Sequence, residues 1–287
     1  MMRRYSGRDF TSQEIALIRE LIAKKPEYTR AELSRQVCEL LHWYKIDGGS
    51  KAMSCRVAML RMQDDDLIQL PAPTRKRPEA RIRFTAATDP EQVLTAAVHE
   101  LPQLQFHNVR KGKQSSLWNE YIHRYHYLGY KTLPGAQMRY FITAGDQLVA
   151  LLGFGASAWQ CASRDNYIGW SHEQRKQNLH LIINNARFLI LPWVQSKNLA
   201  SKILASASRK VPDDWQLRYG YRPVLMETFV EKERFTGTCY KAANWLYMGE
   251  TKGRGKLGPA GKQSVPIKGL WLYPLTRGFR QTLGADL

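Results

Sequence analysis

The chain has 287 residues, 44% of them apolar, enough to bury a sizeable core and fill two domains, which excludes an intrinsically disordered chain. Forty-three Lys and Arg stand against 25 Asp and Glu, a formal charge of +18 that draws the chain toward polyanions, nucleic acid first. The start "MMRRYSGRDF" has no apolar signal segment, no apolar run reaches membrane-spanning length, and Cys38, Cys55, Cys161 and Cys239 form no Cys-x-x-Cys pair. The expectation is a soluble, cytoplasmic protein with reduced thiols and with neither a zinc site nor a disulfide framework.

"TSQE" at 11–14 has the form of a capping box, followed by Ile15, Ile18, Leu21 and Ile22 at helical spacing. "TRAE" at 29–32 repeats the signal before a second stripe of Leu33, Val37, Leu40 and Leu41. "KIDGGS" at 45–50 is a turn, and beyond it Met53, Val57 and Leu60 define the core face of a third helix, with Lys51, Ser54, Ala58 and Arg61 opposite. Three short helices, an extended "LIQLP" and the basic tract Arg75, Lys76 and Arg77 match a helix-turn-helix with a small wing over residues 1–75. Lys51 and Arg61 would then meet phosphates or guanine edges and Ser54 either; the plainer reading is a packing or dimerisation module with a solvated face.

Residues 76–112 mix prolines, charges and short apolar pieces and are read as a linker with one short helix at 90–99. "SLWNEYIHRYHYLGY" at 116–130 predicts an aromatic helix ending at a glycine, with His126 and Tyr127 placed to stack on or hydrogen-bond a nucleic acid, or simply to fill core. "MRYFITA" and "QLVALLGFGAS" flank "GD" as a hairpin, and "ARFLILPW" at 186–193 predicts the next strand. A helix from about 198 to 209 follows, with Leu199, Ile203 and Leu204 inward. Between strand and helix, "QSKNLA" would present backbone N–H groups at a helix start, a natural seat for a pyrophosphate. A strand, "PVLMETFVE", and the segment "TGTCYKAANWLYMGETKGRGK" complete the order.

Hairpin, strand, helix, strand, short tyrosine-bearing helix and closing strand resemble the GNAT acyltransferase fold over roughly residues 115–257. The family's pyrophosphate turn, Gln/Arg-x-x-Gly-x-Gly/Ala, is matched by Gln195 and Ala200, with Asn198 at the glycine position. Asn tolerates the left-handed region but brings a side chain where the family has none. The resemblance implies that Gln195, Lys197, Asn198, Ala200 and Ser201 hold acetyl-CoA or a related acyl donor, and that Tyr240, in "CYKAANW", protonates the departing thiolate. The neighbouring strand offers Glu227 as a general base, though strand carboxylates are often structural.

At greater length the chain resembles the DruA component of the Druantia anti-phage systems, through "RYHYLGY", "RDNYIGW", "NNARFLILPWV", "METFVE", "GTCYKAANW" and "GETKGRGK", spread over residues 124–256. That resemblance implies a role in defence or in a mobile-element system, with other defence or transposition proteins as partners. The expected fold is therefore α+β: a helix-turn-helix domain at 1–75, a linker at 76–112, and a GNAT-like domain at 113–287 with a basic glycine-rich arm at 251–263. In that arm Lys252 and Arg254 would track a phosphate backbone. In "RDNYIGW", Arg164 suits gripping a base or phosphate and Asp165 catalysis, or the two form a structural ion pair. Three functions stay open from the residues: acyl transfer to DNA or a DNA-bound target, non-catalytic binding of single-stranded or deformed DNA, and metal-dependent nicking through Asp165 and Glu227.

Overall fold

The computed structural model describes residues 2–44, 48–74, 82–133, 135–253 and 265–284. The chain divides into two compact units, Met1–Ala80 and Arg81–Leu287. No helix among the described residues is long and apolar enough to cross a membrane.

The first unit opens with an antiparallel hairpin, β1 (Met2–Tyr5) and β2 (Arg8–Thr11), and continues through α1 (Ser12–Lys24), α2 (Arg30–Leu40) and α3 (Ala52–Asp64). Thr11 and Thr29 each close the capping box expected of them: the threonine hydroxyl accepts from the N3 amide while Glu14 or Glu32 accepts from the threonine amide. The core gathers Phe10, Ile18, Leu33, Val37, Cys38, Cys55, Met59 and Met62. Three expectations are corrected here. On α2 the buried set is Leu33, Ser34, Val37 and Cys38, and Leu40 faces out. On α3 the buried face is Cys55, Ala58, Met59 and Met62, while Met53 and Val57 are 68% and 40% exposed. Two stripes at i, i+3/i+4, i+7 compete along that helix, and the one built of Cys, Ala and Met fits against α2 because its side chains are slimmer or more pliable. Nor does "LIQLP" form a wing strand; it runs as irregular chain, with the Leu67 and Pro71 carbonyls accepting from the Arg19 and Arg30 side chains.

In the second unit a seven-stranded sheet is ordered β10-β11-β9-β7-β6-β5-β4. In chain order come β3 (Leu94–Thr95), β4 (Leu104–Asn108), α4 (Lys113–Tyr125), β5 (Gln137–Ala144) and β6 (Gln147–Ala156). Then follow α5 (Ala162–Ile168), α6 (His172–Asn178), β7 (Ile182–Ile190), β8 (Val194–Gln195) and α7 (Leu199–Tyr219). The order ends with β9 (Leu225–Glu231), α8 (Thr238–Ala242), β10 (Leu246–Glu250), β11 (Lys268–Pro274) and α9 (Phe279–Thr282). The stretch expected to be a linker is partly built in: β4 is the sheet edge, and β3 pairs in parallel with β8 where a helix at 90–99 was expected. Most of the arm expected at 251–263 lies outside the described residues; beyond it β11 is inserted between β10 and β9.

The helix expected to stop near 209 runs on to Tyr219 through Pro212. Proline forfeits one helical hydrogen bond, but Leu199, Ile203, Leu204, Ala207, Val211 and Trp215 keep one continuous buried stripe across it, so packing outweighs the break. The turn into α8 depends on Gly237: its φ is +77°, and a Cβ there would lie 2.6 Å from the Trp271 ring. Gly237→Ala should lower stability by about 2 kcal/mol or more, seen as a fall in the urea midpoint; an unchanged midpoint would show that the indole gives way freely.

Candidate functional site

β7 and β9 are parallel, yet their ladder holds only at Ile182↔Leu225, Ile183↔Met226 and Asn184↔Glu227. Beyond that pair the two strands part, and their backbone groups need other partners. Side chains supply them. Thr228 Oγ1 donates to the Asn185 carbonyl (3.0 Å), and the Tyr240 hydroxyl donates to Asn185 Oδ1 (2.8 Å). On the other edge of β7 the ladder to β6 skips Ala186, since Arg187 faces Gly153 and Asn185 faces Phe154. Such a bulge twists a strand away from its neighbour.

Successive residues of β9 point to opposite faces. Met226 and Val230 join the core that includes α7 and Tyr240, whereas Leu225 and Phe229 join the core shared with α5 and α9. Glu227 is on the second face and wholly buried. Its Oε2 is 2.8 Å from Arg164 Nη1, and its Oε1 accepts from the Ala158 amide at 2.7 Å. Arg164 is itself wholly buried and also donates to Asp165 Oδ1 and to the Ala158 carbonyl. Asp165 accepts in addition from Trp170 Nε1, the Cys161 amide and Arg175. This is a closed chain, Glu227–Arg164–Asp165–Arg175, with charges that cancel. Of the two readings of Arg164 and Asp165, the structural ion pair is the one found: Arg164 has no surface with which to grip a base. The space between Asp165 and Glu227, where a shared divalent ion was considered, is spanned by the Arg164 guanidinium, and among the described residues no group of three or more His, Cys, Asp or Glu side chains converges.

The Tyr240 hydroxyl is likewise committed, and burial pushes its pKa upward. Gln195 and Lys197 are exposed, and Asn198 adopts the left-handed conformation, φ 66° and ψ 2°, that its place in the turn demands. No side chain caps α7, although the Ser201 hydroxyl donates back to the Asn198 carbonyl at 2.9 Å. Ser196 Oγ is buried in this turn with no partner among the described residues. An orphaned hydroxyl next to an uncapped helix start suits an anion with several acceptor oxygens.

His126 sits just past the end of α4, buried, and stacks on Tyr127 with ring centroids 4.9 Å apart. Its Nδ1 accepts from the Leu128 amide at 3.2 Å. Tyr127 is partly exposed, packs on Phe235 and lies under the Arg234 guanidinium. Sequence reasoning missed Asn185, Arg187, Thr228 and Lys268, although polar residues inside the strand "IINNARFLI" were a visible irregularity. In the first unit Lys51, Ser54 and Arg61 are all half-buried, and Ala58, expected on the same outer face, is core. Lys252 is exposed; Arg75, Lys76, Arg77 and Arg254 lie outside the described residues.

The family model of the Druantia protein DruA matches residues 62–268, more than half of the chain. The chain belongs to the DruA family. The match runs from the last turn of α3 to the first residue of β11, so it takes in the parted strands and the turn before α7. No curated protein matches. Among solved structures, this DruA-family chain is similar to spermidine N-acetyltransferase from Vibrio cholerae, at 14% identity and a TM-score of 0.32 over 58% of this chain and 75% of that one. It is also similar to a Bacillus subtilis acetyltransferase solved in complex with CoA, at 9% identity and a TM-score of 0.37 over 61% of this chain and all of the other.

Two outcomes follow from this geometry. Arg164→Met strands the buried Glu227 carboxylate and should cost about 3–5 kcal/mol, well beyond Arg175→Met, which leaves Asp165 paired with Arg164; equal losses in urea melts would contradict the assignment. Burial, with repulsion from Arg187 added, pushes the His126 imidazole down to about 4. The folded state then resists a proton that the unfolded chain takes up below about 6.5, so stability falls as pH drops through that window, by roughly 2 kcal/mol between about pH 7 and pH 5. His126→Asn should flatten that decline in denaturant titrations at the two pH values.

Proposed function

We propose that this DruA-family protein serves anti-phage defence as a DNA-associated, GNAT-like transferase that takes an acyl group from a coenzyme A thioester. The observation that carries the reading is the parting of β7 and β9 beside an uncapped turn with Asn198 in the left-handed region and a buried, unpartnered Ser196 hydroxyl. Strand order supports it, because hairpin, parallel pair, crossover helix and inserted last strand follow the GNAT arrangement that the sequence resembles. The backbone amides at the start of α7 and the exposed Lys197 ammonium would hold the pyrophosphate, and the bound donor would supply an activated acyl carbonyl at the parting.

Within this reading the residues divide by what they touch. Tyr240 reaches the parting, and its proton would go to a thiolate only by exchanging the bond to Asn185. Glu227 and Asp165 build the wall, since Arg164 and the Ala158 amide occupy the Glu227 oxygens. The first unit supplies DNA contact in this scheme, with Lys51, Ser54 and Arg61 at the margin of α3 and a chain charge of +18 in support. A second reading, a DNA-binding module that has given up catalysis, is favoured by the sealed Glu227 and by the Asn198 side chain at the position the GNAT motif keeps bare.

Isothermal titration of the full chain with acetyl-CoA separates the two. Saturable heat that drops at least tenfold in affinity in Lys197→Glu is the expected result, equivalent to about 1.4 kcal/mol or more. Absence of heat, under conditions where the same preparation binds DNA, would remove the coenzyme and leave the binding module.

A further inference from the structure

Among the described residues Arg187 is a cation without an anion. It projects from β7 next to the bulge, on the face where Trp118 of α4 packs, because a Cβ on the opposed Gly153 would touch both the Trp118 ring and Arg187 Cβ. Only 8% of it is exposed. Its Nη1 and Nε donate to the carbonyls of Ala186 (2.7 Å) and Gly129 (3.3 Å), and among the described residues no carboxylate comes within ion-pair distance. A buried guanidinium is ordinarily paired, since two neutral carbonyls offset little of its lost hydration. Arg164, at a similar depth, shows how this protein neutralises such a group when the purpose is structural: two carboxylates close around it.

The surroundings deepen the imbalance. Lys268, opposite Glu231 at the start of β11, is held down by burial and by the charges of Arg187 and Lys131. Among the described residues Glu231 is the carboxylate that acts on Lys268, and it is already paired with Arg234 at 3.0 Å. Lys268 therefore has Arg187 and Lys131 as cationic neighbours and shares its acid with Arg234. Beside them stand two exposed aromatic rings in contact, Tyr127 and Phe235, 5.2 Å apart, with Arg234 over the Tyr127 face. Buried positive charge flanked by exposed rings is the pairing that recognises a phosphate with its attached base.

We propose that the cleft of Arg187, Lys268 and Lys131, framed by Tyr127 and Phe235, binds a phosphate-bearing nucleotide of a single-stranded or extruded DNA segment. The guanidinium takes the phosphate in bidentate fashion, the lysines add charge, and the rings receive the base. The nucleotide site stands on these residues alone, independently of the coenzyme reading above.

The test is calorimetry of the full chain with thymidine 5′-monophosphate, thymidine and inorganic phosphate, small probes that do not bridge to the first unit. The monophosphate should bind more tightly than either fragment. Arg187→Gln should weaken it at least tenfold, and Tyr127→Ala should weaken the nucleotide while sparing inorganic phosphate. Because Arg187 is buried, circular dichroism melts accompany that variant, and Lys268→Gln, nearer the surface, gives an independent loss of roughly threefold or more, as expected for one partly solvated charge. Monophosphate binding that depends on Arg187, with no acetyl-CoA heat, supports the cleft and overturns only the coenzyme reading. Acetyl-CoA heat without monophosphate heat, monophosphate binding indifferent to Arg187 and Lys268 in folded variants, or phosphate alone binding as tightly as the nucleotide overturns the inference.

Discussion

Two parallel strands that separate after three pairs leave backbone amides and carbonyls that water or side chains must satisfy, and the organisation of the second unit follows from how that is done. The Thr228 hydroxyl takes the place of the next ladder bond, and Tyr240 reaches from α8 to the Asn185 side chain. The bulge at Ala186 turns β7 away from β9, while β11 pairs along the whole of β9 and keeps it straight. The opening is therefore fixed by bonds on both of its edges, and a gap fixed in this way is a preorganised place for a ligand.

Charge is handled in two contrasting ways within that one sheet. Each of the three Arg164 guanidinium nitrogens has an acceptor and the charges of the cluster cancel, which makes it a support under Glu227. Such a pair contributes little over an apolar core, but breaking it is costly, so it fixes geometry more than it adds stability. Around Arg187 the cations outnumber the acids among the described residues, and the Tyr127 and Phe235 rings stay partly exposed. The contrast between two arginines of like burial, one balanced and one not, is what separates scaffold from site.

Much of this was legible in the residues. Both capping boxes, the Gly-Asp hairpin, the strands near 186 and 223 and the helix start at 199 follow from local chemistry: a hydroxyl three residues before a carboxylate, a glycine able to take positive φ, apolar runs of strand length. Asn198 in the left-handed region was likewise a local matter. Expectation failed where two local patterns were equally good. On α3 two stripes fit helical spacing, and only the partner surface of α2 chooses between them. At Pro212 the local rule ends a helix, and the buried stripe from Val211 to Trp215 overrides it.

The sequence by itself determined the number and kind of most elements, the basic character of the chain and the turn before α7, because each depends on residues within a few positions of one another. It could not say that Glu227 faces Arg164, that β11 inserts between β9 and β10, or that Arg187 has no carboxylate partner among the described residues. Those facts join residues 37 to 63 positions apart, and the pairing of a buried charge is decided by which strands and loops the whole sheet brings to its side.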